Sequence, residues 1–194
     1  MDAWKTTDLP TTWQLLCLLL LLTSFSSCLP PITASNMYDR STNFARYRTF
    51  GWYEPTAAGT NANSTQFEPL LDRRVRDAVA AELVKKGIMP DAEDPDVLIA
   101  YDVSIPQASD QATAGAGGYS YWFGYRYNYI TSGISNYRSI EAYPVGTLVI
   151  DLVDATTNQL VWRGSAAGEI DAAQTEESKI RRSIAAILAQ YPPF

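Results

Sequence analysis

The stretch GTLVIDLVDATTNQLVWRGSAAG, residues 146–168, constrains the fold more than any other part of the chain. Leu148, Ile150 and Leu152 alternate on one face, as do Leu160 and Trp162, which predicts two strands joined by a turn. Asn158 tolerates a left-handed backbone and suits the last place of a three-residue loop, Thr156-Thr157-Asn158. Closing that loop on Ala155 and Gln159 sets Leu152 opposite Trp162 on the core face and Asp151 opposite Arg163 on the other. Opposite charges in register add about 0.2–1 kcal/mol, so Asp151 and Arg163 read as a register pair rather than as catalytic partners.

The other elements follow from spacing. YRTFGWYE, residues 47–54, is aromatic and strand-favouring, and the small polar residues 55–66 after it read as a loop. Pro69 suits a first helical turn, and Leu71, Val75, Ala78, Val79 and Leu83 recur at helical spacing up to a stop at Gly87. The opposite face, with Asp72, Arg73, Arg76, Asp77 and Lys86, reads as solvated. PDVLIAYDVSI, residues 95–105, is a continuous apolar run that predicts a well-buried strand. Strand, helix and strand in succession favour a parallel crossover. Ile180, Ile184, Ile187, Leu188 and Tyr191 form a closing helix with Thr175 as a candidate cap and Pro192 and Pro193 as the stop. The expectation is an α+β domain, β-α-β-β-β-α, with a mixed sheet and helices packed on it.

At the amino-terminal end, Trp13–Leu22 is a run of ten residues, apolar but for Gln14, half the roughly 20 residues that span a hydrocarbon core as a helix. It suits a signal-peptide core, with Lys5 as a modest basic start that Asp2 and Asp8 offset. The small pair Ser26 and Ser27 precedes Cys28, and Phe25-Ser26-Ser27-Cys28 is similar to the bacterial lipobox, with Phe25 in place of the usual aliphatic residue. The expected organisation is a lipoprotein signal peptide over 1–27, a lipidated Cys28 and tether over 28–43, and one domain over 44–194. That domain carries a Gly- and Tyr-rich insertion over 106–142. A short strand around Ile32–Asp39 is allowed but not required. By resemblance to lipoproteins of two-membrane bacteria, Leu29 after the cysteine points to the outer membrane, with the domain facing the periplasm and palmitate among the attached acyl chains.

Composition narrows the function. The chain has net charge −6, which repels phosphate backbones unless basic residues cluster, so no nucleic-acid partner is expected. Histidine is absent, which removes the commonest general base and zinc ligand. Cys17 and Cys28 both lie before the domain, so no disulfide framework is available to it. Asp91, Glu93, Asp94 and Asp96 form an acidic loop without the calcium-loop pattern, and no metal or cofactor is expected. Asn63-Ser64-Thr65 fits a glycosylation acceptor whose chemistry belongs to a eukaryotic route. No motif selects catalytic residues.

One segment resists a packing explanation. AGAGGYSYWFGYRYNYITSG holds Tyr119, Tyr121, Trp122, Phe123, Tyr125, Tyr127 and Tyr129 among glycines, with Arg126 inside. Aromatics at this density stack on sugar faces, bind partner proteins or sit at a lipid headgroup boundary. A variable connection or an extra hairpin over the sheet is the plainer alternative. The candidate ligand-binding residues are Tyr119, Tyr121, Trp122, Tyr125, Arg126, Tyr127 and Tyr129.

FARYRTFGW, a helix ending in KKG, DPDVLIAYDV, GTLVIDLVDATTNQLVWRGSA and a last helix closing in QYPPF together resemble a family of bacterial lipoproteins, domain of unknown function 4136, over Asn43–Phe194. The resemblance implies a cell-envelope lipoprotein and carries no catalytic residues with it. The expected function is a non-enzymatic binding or assembly module. Its expected partners are membrane lipid, through acylated Cys28, and an envelope protein or glycan. The alternative is a carboxylate-dependent hydrolase of envelope glycans or peptidoglycan.

Overall fold

A computed structural model of the chain describes residues 32–53, 68–106, 120–124, 129–139, 142–144, 146–167 and 176–193. They belong to one unit, residues 32–194. The elements, in chain order, are β1 (Ala34–Tyr38), β2 (Thr49–Trp52), α1 (Glu68–Lys85), β3 (Met89–Pro90), β4 (Val97–Pro106), β5 (Ser120–Gly124), β6 (Leu148–Asp154), β7 (Gln159–Ala166) and α2 (Glu177–Leu188).

The seven strands form one mixed sheet, six of them in the order β1-β7-β6-β4-β2-β3 and β5 off that path, paired with β4. β2 runs parallel to β4 with α1 between them in the chain, as the strand-helix-strand succession predicts, while β6, β7 and β1 add antiparallel. β5 pairs antiparallel with residues 102–106 of β4, further along the edge that β2 uses at residues 97–99. Ala34–Tyr38, within the segment read as a tether, is therefore an edge strand of the sheet.

The hairpin keeps its expected pairs, Leu152 opposite Trp162 and Asp151 opposite Arg163. The loop differs. Asp154 pairs with Gln159, which leaves four loop residues, and a bulge between Leu152 and Val153 absorbs the extra residue at Val161. Asp154 explains the shift, because its Oδ1 accepts hydrogen bonds from Thr156 N at 3.1 Å, Thr157 N at 2.9 Å and Thr157 Oγ1 at 3.0 Å. Asn158 takes the left-handed conformation, φ 53°, at the last loop position.

α1 and α2 pack on one face of the sheet and on each other. Leu71, Val75, Ala78, Val79 and Leu83 of α1 and Ile180, Ile184, Ile187 and Leu188 of α2 are buried against Phe50, Ile99, Tyr101, Ile150, Leu152 and Trp162. Each buried Leu, Ile or Val side chain contributes roughly 1.5–3 kcal/mol. α1 ends as its sequence suggests. Gly87 takes φ 80°, its N–H reaches Val84 O at 3.0 Å, and Ile88 N reaches Leu83 O at 3.1 Å, so the last carbonyls are satisfied. Not all of the charged face of α1 is solvated. Asp72 accepts from Tyr101 Oη at 2.6 Å, and the Arg76 guanidinium lies 4.6 Å from the Trp52 ring centroid. The N-cap of α2 is Glu176, which makes no side-chain cap hydrogen bond; Thr175 lies outside the described residues.

Carboxylates hold the chain where β2 begins. Asp96 accepts from Arg48 N at 2.7 Å and Thr49 N at 3.0 Å, and Asp91 accepts from Glu93 N and Asp94 N, so two acids of the DAEDPD loop serve backbone donors. Burial raises the Asp154 carboxyl, but the hydrogen bonds from Thr157 and Tyr47 and the charge of Arg46 outweigh it and hold its pKa below the ordinary 3.8. Asp96 is also lowered, first by its bond from the Arg48 N–H. A carboxyl whose pKa is lower when folded stabilises the fold above its unfolded value and loses that contribution as pH falls through the folded value. The domain should hold its urea midpoint from neutral pH to about pH 5 and lose it progressively below 3.8. Asp154→Asn should flatten that acid limb, and an unchanged limb would show that Asp154 is not responsible.

Candidate functional site

The second face of the sheet carries Leu98, Ala100 and Asp102 from β4, Val149, Asp151 and Val153 from β6, and Leu160, Arg163 and Ser165 from β7. Cross-strand pairing assembles Leu98–Val153–Leu160, Ala100–Asp151–Arg163 and Asp102–Val149–Ser165 into successive rows. The sequence reading puts Asp151 and Arg163 on this face as a cross-strand register pair, and the structure both pairs and buries them: Asp151 is 2% and Arg163 1% exposed. The cover is the segment over residues 129–139 together with Tyr143. Ile134 packs on Val153 and Leu160, with Tyr129 and Tyr137 beside them.

Burying a guanidinium demands that its donors be met, and here all five N–H groups have acceptors. Arg163 Nε donates to Asp151 Oδ1 at 2.6 Å and Nη2 to Asp151 Oδ2 at 2.6 Å, a bidentate pair. Nη2 also donates to Tyr129 Oη at 2.8 Å, and Nη1 donates to Arg138 O at 2.8 Å and Tyr137 Oη at 3.3 Å. Tyr129 Oη in turn donates to Asp151 Oδ2 at 2.5 Å. The Tyr137 ring centroid lies 5.0 Å from the guanidinium carbon.

Burial opposes the charge of Arg163, but the carboxylate of Asp151 outweighs it and raises the guanidinium pKa above its ordinary value. Burial first, then the charge of Asp151, push the Tyr129 phenol far above its ordinary value, so it stays a neutral donor. Tyr143 is raised by burial, and its hydroxyl bonds Ser165. Every polar group of the Asp151–Arg163–Tyr129 triad is engaged within the domain, so the chemistry here is clamping. Asp102, 5% exposed, accepts from Val103 N at 3.1 Å on the same face.

The clamp acts on the aromatic segment. Tyr129 is fastened through its hydroxyl, its ring meets that of Tyr53 edge-on at 6.1 Å, and Ile130 is hydrogen-bonded to Asn158 O and Leu160 N beside the hairpin turn. At the other end, β5 is fastened to β4 with Ile105 opposite Tyr121 and Ser104 opposite Trp122. Of the candidate residues, Tyr121 and Trp122 lie on β5 and Tyr129 lies in the clamp. Tyr119, Tyr125, Arg126 and Tyr127 lie outside the described residues, as do Cys28, Asn63 and the loop over residues 55–66. Tyr137, Arg138 and Tyr143 were not anticipated. Their one signal is β6 itself, whose LVIDLVD has apolar residues on both faces, the mark of a strand covered twice. Among the described residues, no group of three or more Cys, Asp or Glu is placed to hold a metal ion, and no helix is long and apolar enough to cross a membrane.

The family model described as Domain of unknown function (DUF4136) matches residues 34–193. The chain belongs to that family. The match begins at the first residue of β1 and so takes in the edge strand as well as the core. No curated protein matches the chain. Among solved structures, a PDZ domain protein from Parabacteroides distasonis is similar at TM-score 0.50 and 17% identity, over 84% of this chain and 36% of that one. The chain therefore spans about a third of that protein's length, and the likeness concerns the fold. Two structures of a PelC dodecamer from Paraburkholderia phytofirmans match at TM-score 0.39, with 12% and 10% identity, each over 81% of this chain and 94% of that one.

Proposed function

We propose that this DUF4136 protein is exported, cut before Cys28, acylated on that cysteine and held at the outer membrane facing the periplasm. There it acts as a non-enzymatic binding or assembly module whose contact surface is the aromatic segment around Tyr119–Tyr129. The observation that carries this reading is the double fastening of that segment, by β5 on β4 and by Tyr129 on Asp151 and Arg163. A contact surface needs its side chains presented at low entropic cost, and a rigid scaffold on both sides supplies that. The anchor rests on the apolar run, the small pair and the cysteine in order. Acyl chains contribute about 0.8 kcal/mol per buried methylene, so more than one chain on Cys28 holds the domain at a membrane.

In a two-membrane bacterium, Cys28→Ser should move the protein from the membrane fraction to the soluble periplasmic fraction. Replacing Tyr121, Trp122, Tyr125 and Tyr127 together by Ser should abolish association with the envelope component it contacts and leave the thermal midpoint nearly unchanged. An unmodified Cys28 in the native protein overturns the anchor. Binding that survives the four replacements overturns the aromatic surface.

A further inference from the structure

The sheet register places the aromatic strand at a particular end of the domain. Ala34 of β1 pairs with Ala166 of β7, Ala166 with Leu148 of β6, Leu148 with Val103 of β4, and Val103 with Phe123 of β5. These five residues form one row across the sheet. β1 starts in that row and runs away from it, so the chain preceding β1 enters the domain at the row's end of the sheet. β5 reaches further in the same direction. Ser120 pairs with Pro106, three residues beyond Val103, which extends about 10 Å past the row.

Six residue steps separate Cys28 from Ala34, and a chain of that length spans at most about 22 Å. The reach expected from a tether running to Asn43 is thereby shortened, because β1 takes up Ala34–Tyr38. A lipid on Cys28 therefore keeps this end of the sheet close to the bilayer, and the sequence at this end is Tyr121-Trp122-Phe123. β5 and β1 stand four strand spacings apart along the row, about 19 Å. Trp and Tyr concentrate where hydrocarbon meets headgroup, because an apolar ring and a polar N–H or O–H are satisfied there together.

We propose that the β5 end of the sheet seats in the headgroup layer of the membrane that carries the Cys28 acyl chains. The proposal rests on the lipoprotein reading above and names the envelope component that β5 contacts, the lipid interface itself. Acyl chain and aromatic strand then form two points of attachment, the tether of the first leaving the sheet at β1, about 19 Å along the row from β5. The domain stands with its strands steep to the membrane, the end holding Trp52 and the hairpin turn directed away.

The test uses the full chain purified from membranes and reconstituted into phosphatidylethanolamine–phosphatidylglycerol vesicles containing a phospholipid brominated near its headgroup. Tryptophan emission of the wild type should be quenched. The quenchable part should vanish in Trp122→Phe and persist in Trp52→Phe, while buried Trp162 contributes a constant background. The mass of the Cys28 peptide is read on the same sample. An acylated Cys28 with Trp122 unquenched overturns the seating and leaves the lipoprotein reading intact. Quenching that follows Trp52 overturns the orientation and the proposal with it. A bare Cys28 thiol overturns the lipoprotein reading, and the seating falls with it. Should Trp122→Phe fold poorly, Trp52→Phe alone decides, since its remaining quenchable emission can come only from Trp122.

Discussion

Arg163→Met should lower the unfolding free energy by about 3–5 kcal/mol, because it leaves the Asp151 carboxylate buried without its counter-charge. The loss exceeds that for a surface ion pair of the same length, which contributes about 0–1 kcal/mol, because the charge left behind stays buried. The difference comes from what water is absent to do. Once Arg163 is gone, neither oxygen of Asp151 has a cationic partner, and Tyr129 Oη, Tyr137 Oη and the Arg138 carbonyl each lose a donor. Asp151→Leu with Arg163→Met removes both charges and should recover part of the loss, although the orphaned tyrosines and carbonyl hold it below the wild type. Urea unfolding followed by circular dichroism measures the first effect. The same measurement on the double variant gives the second, and hydrogen exchange at residues 129–139 should accelerate in the single variant more than the global stability change requires. A single variant within about 1 kcal/mol of the wild type would mean that the pair is solvated after all.

Trp162→Ala should cost about 3–5 kcal/mol through the cavity it leaves. Its indole is fully buried and meets the Tyr191 ring edge-on at 5.5 Å. The site depends on Gly164 two residues later. A Cβ there would come within 2.3 Å of Trp162 Cη2 and 2.5 Å of Ile187 Cγ2, so the ring and α2 close over bare backbone. Gly164→Ala alone should therefore cost about 1–3 kcal/mol by overpacking. The two changes should not add. With the indole removed, one of the two clashes disappears, and the double variant should lie above the sum of the single losses in a double-mutant cycle. Strict additivity would mean that the added methyl is resisted by α2 alone.

What was legible from the residues and what was not divides along the two faces of the sheet. On the helical face, period and composition agree with the fold: Leu71 to Leu83, Ile180 to Leu188 and the pair Leu152–Trp162 all lie where spacing places them. On the second face the register of Asp151 and Arg163 was legible, but alternation alone does not say that this face is covered as well. Its cover, residues 129–139 with Tyr143, has neither helical nor strand period and is recruited by hydrogen bonds to Arg163 that no local pattern encodes. The bulge at Val161 was hidden for a related reason. The side chain of Asp154 sets the loop length, and a three-residue and a four-residue loop give the same pair at Leu152 once one residue is absorbed. β1 falls within the strand that was allowed around Ile32–Asp39 but could not be required, because ASNMY has little apolar character and its place is decided by β7 at the far end of the chain.

That last pairing bears on how the molecule can be made. Ser35 and Ser165 share a hydrogen bond across 130 residues of chain. Closing so long a loop is entropically costly and gives little reward until the hairpin partner exists, which makes such topologies slow. A polypeptide that emerges vectorially presents its first strand long before the strand that receives it. The sheet can be finished only after nearly the whole chain has been delivered, so an exported copy would wait incomplete, its leading edge bare, until the last hairpin arrives.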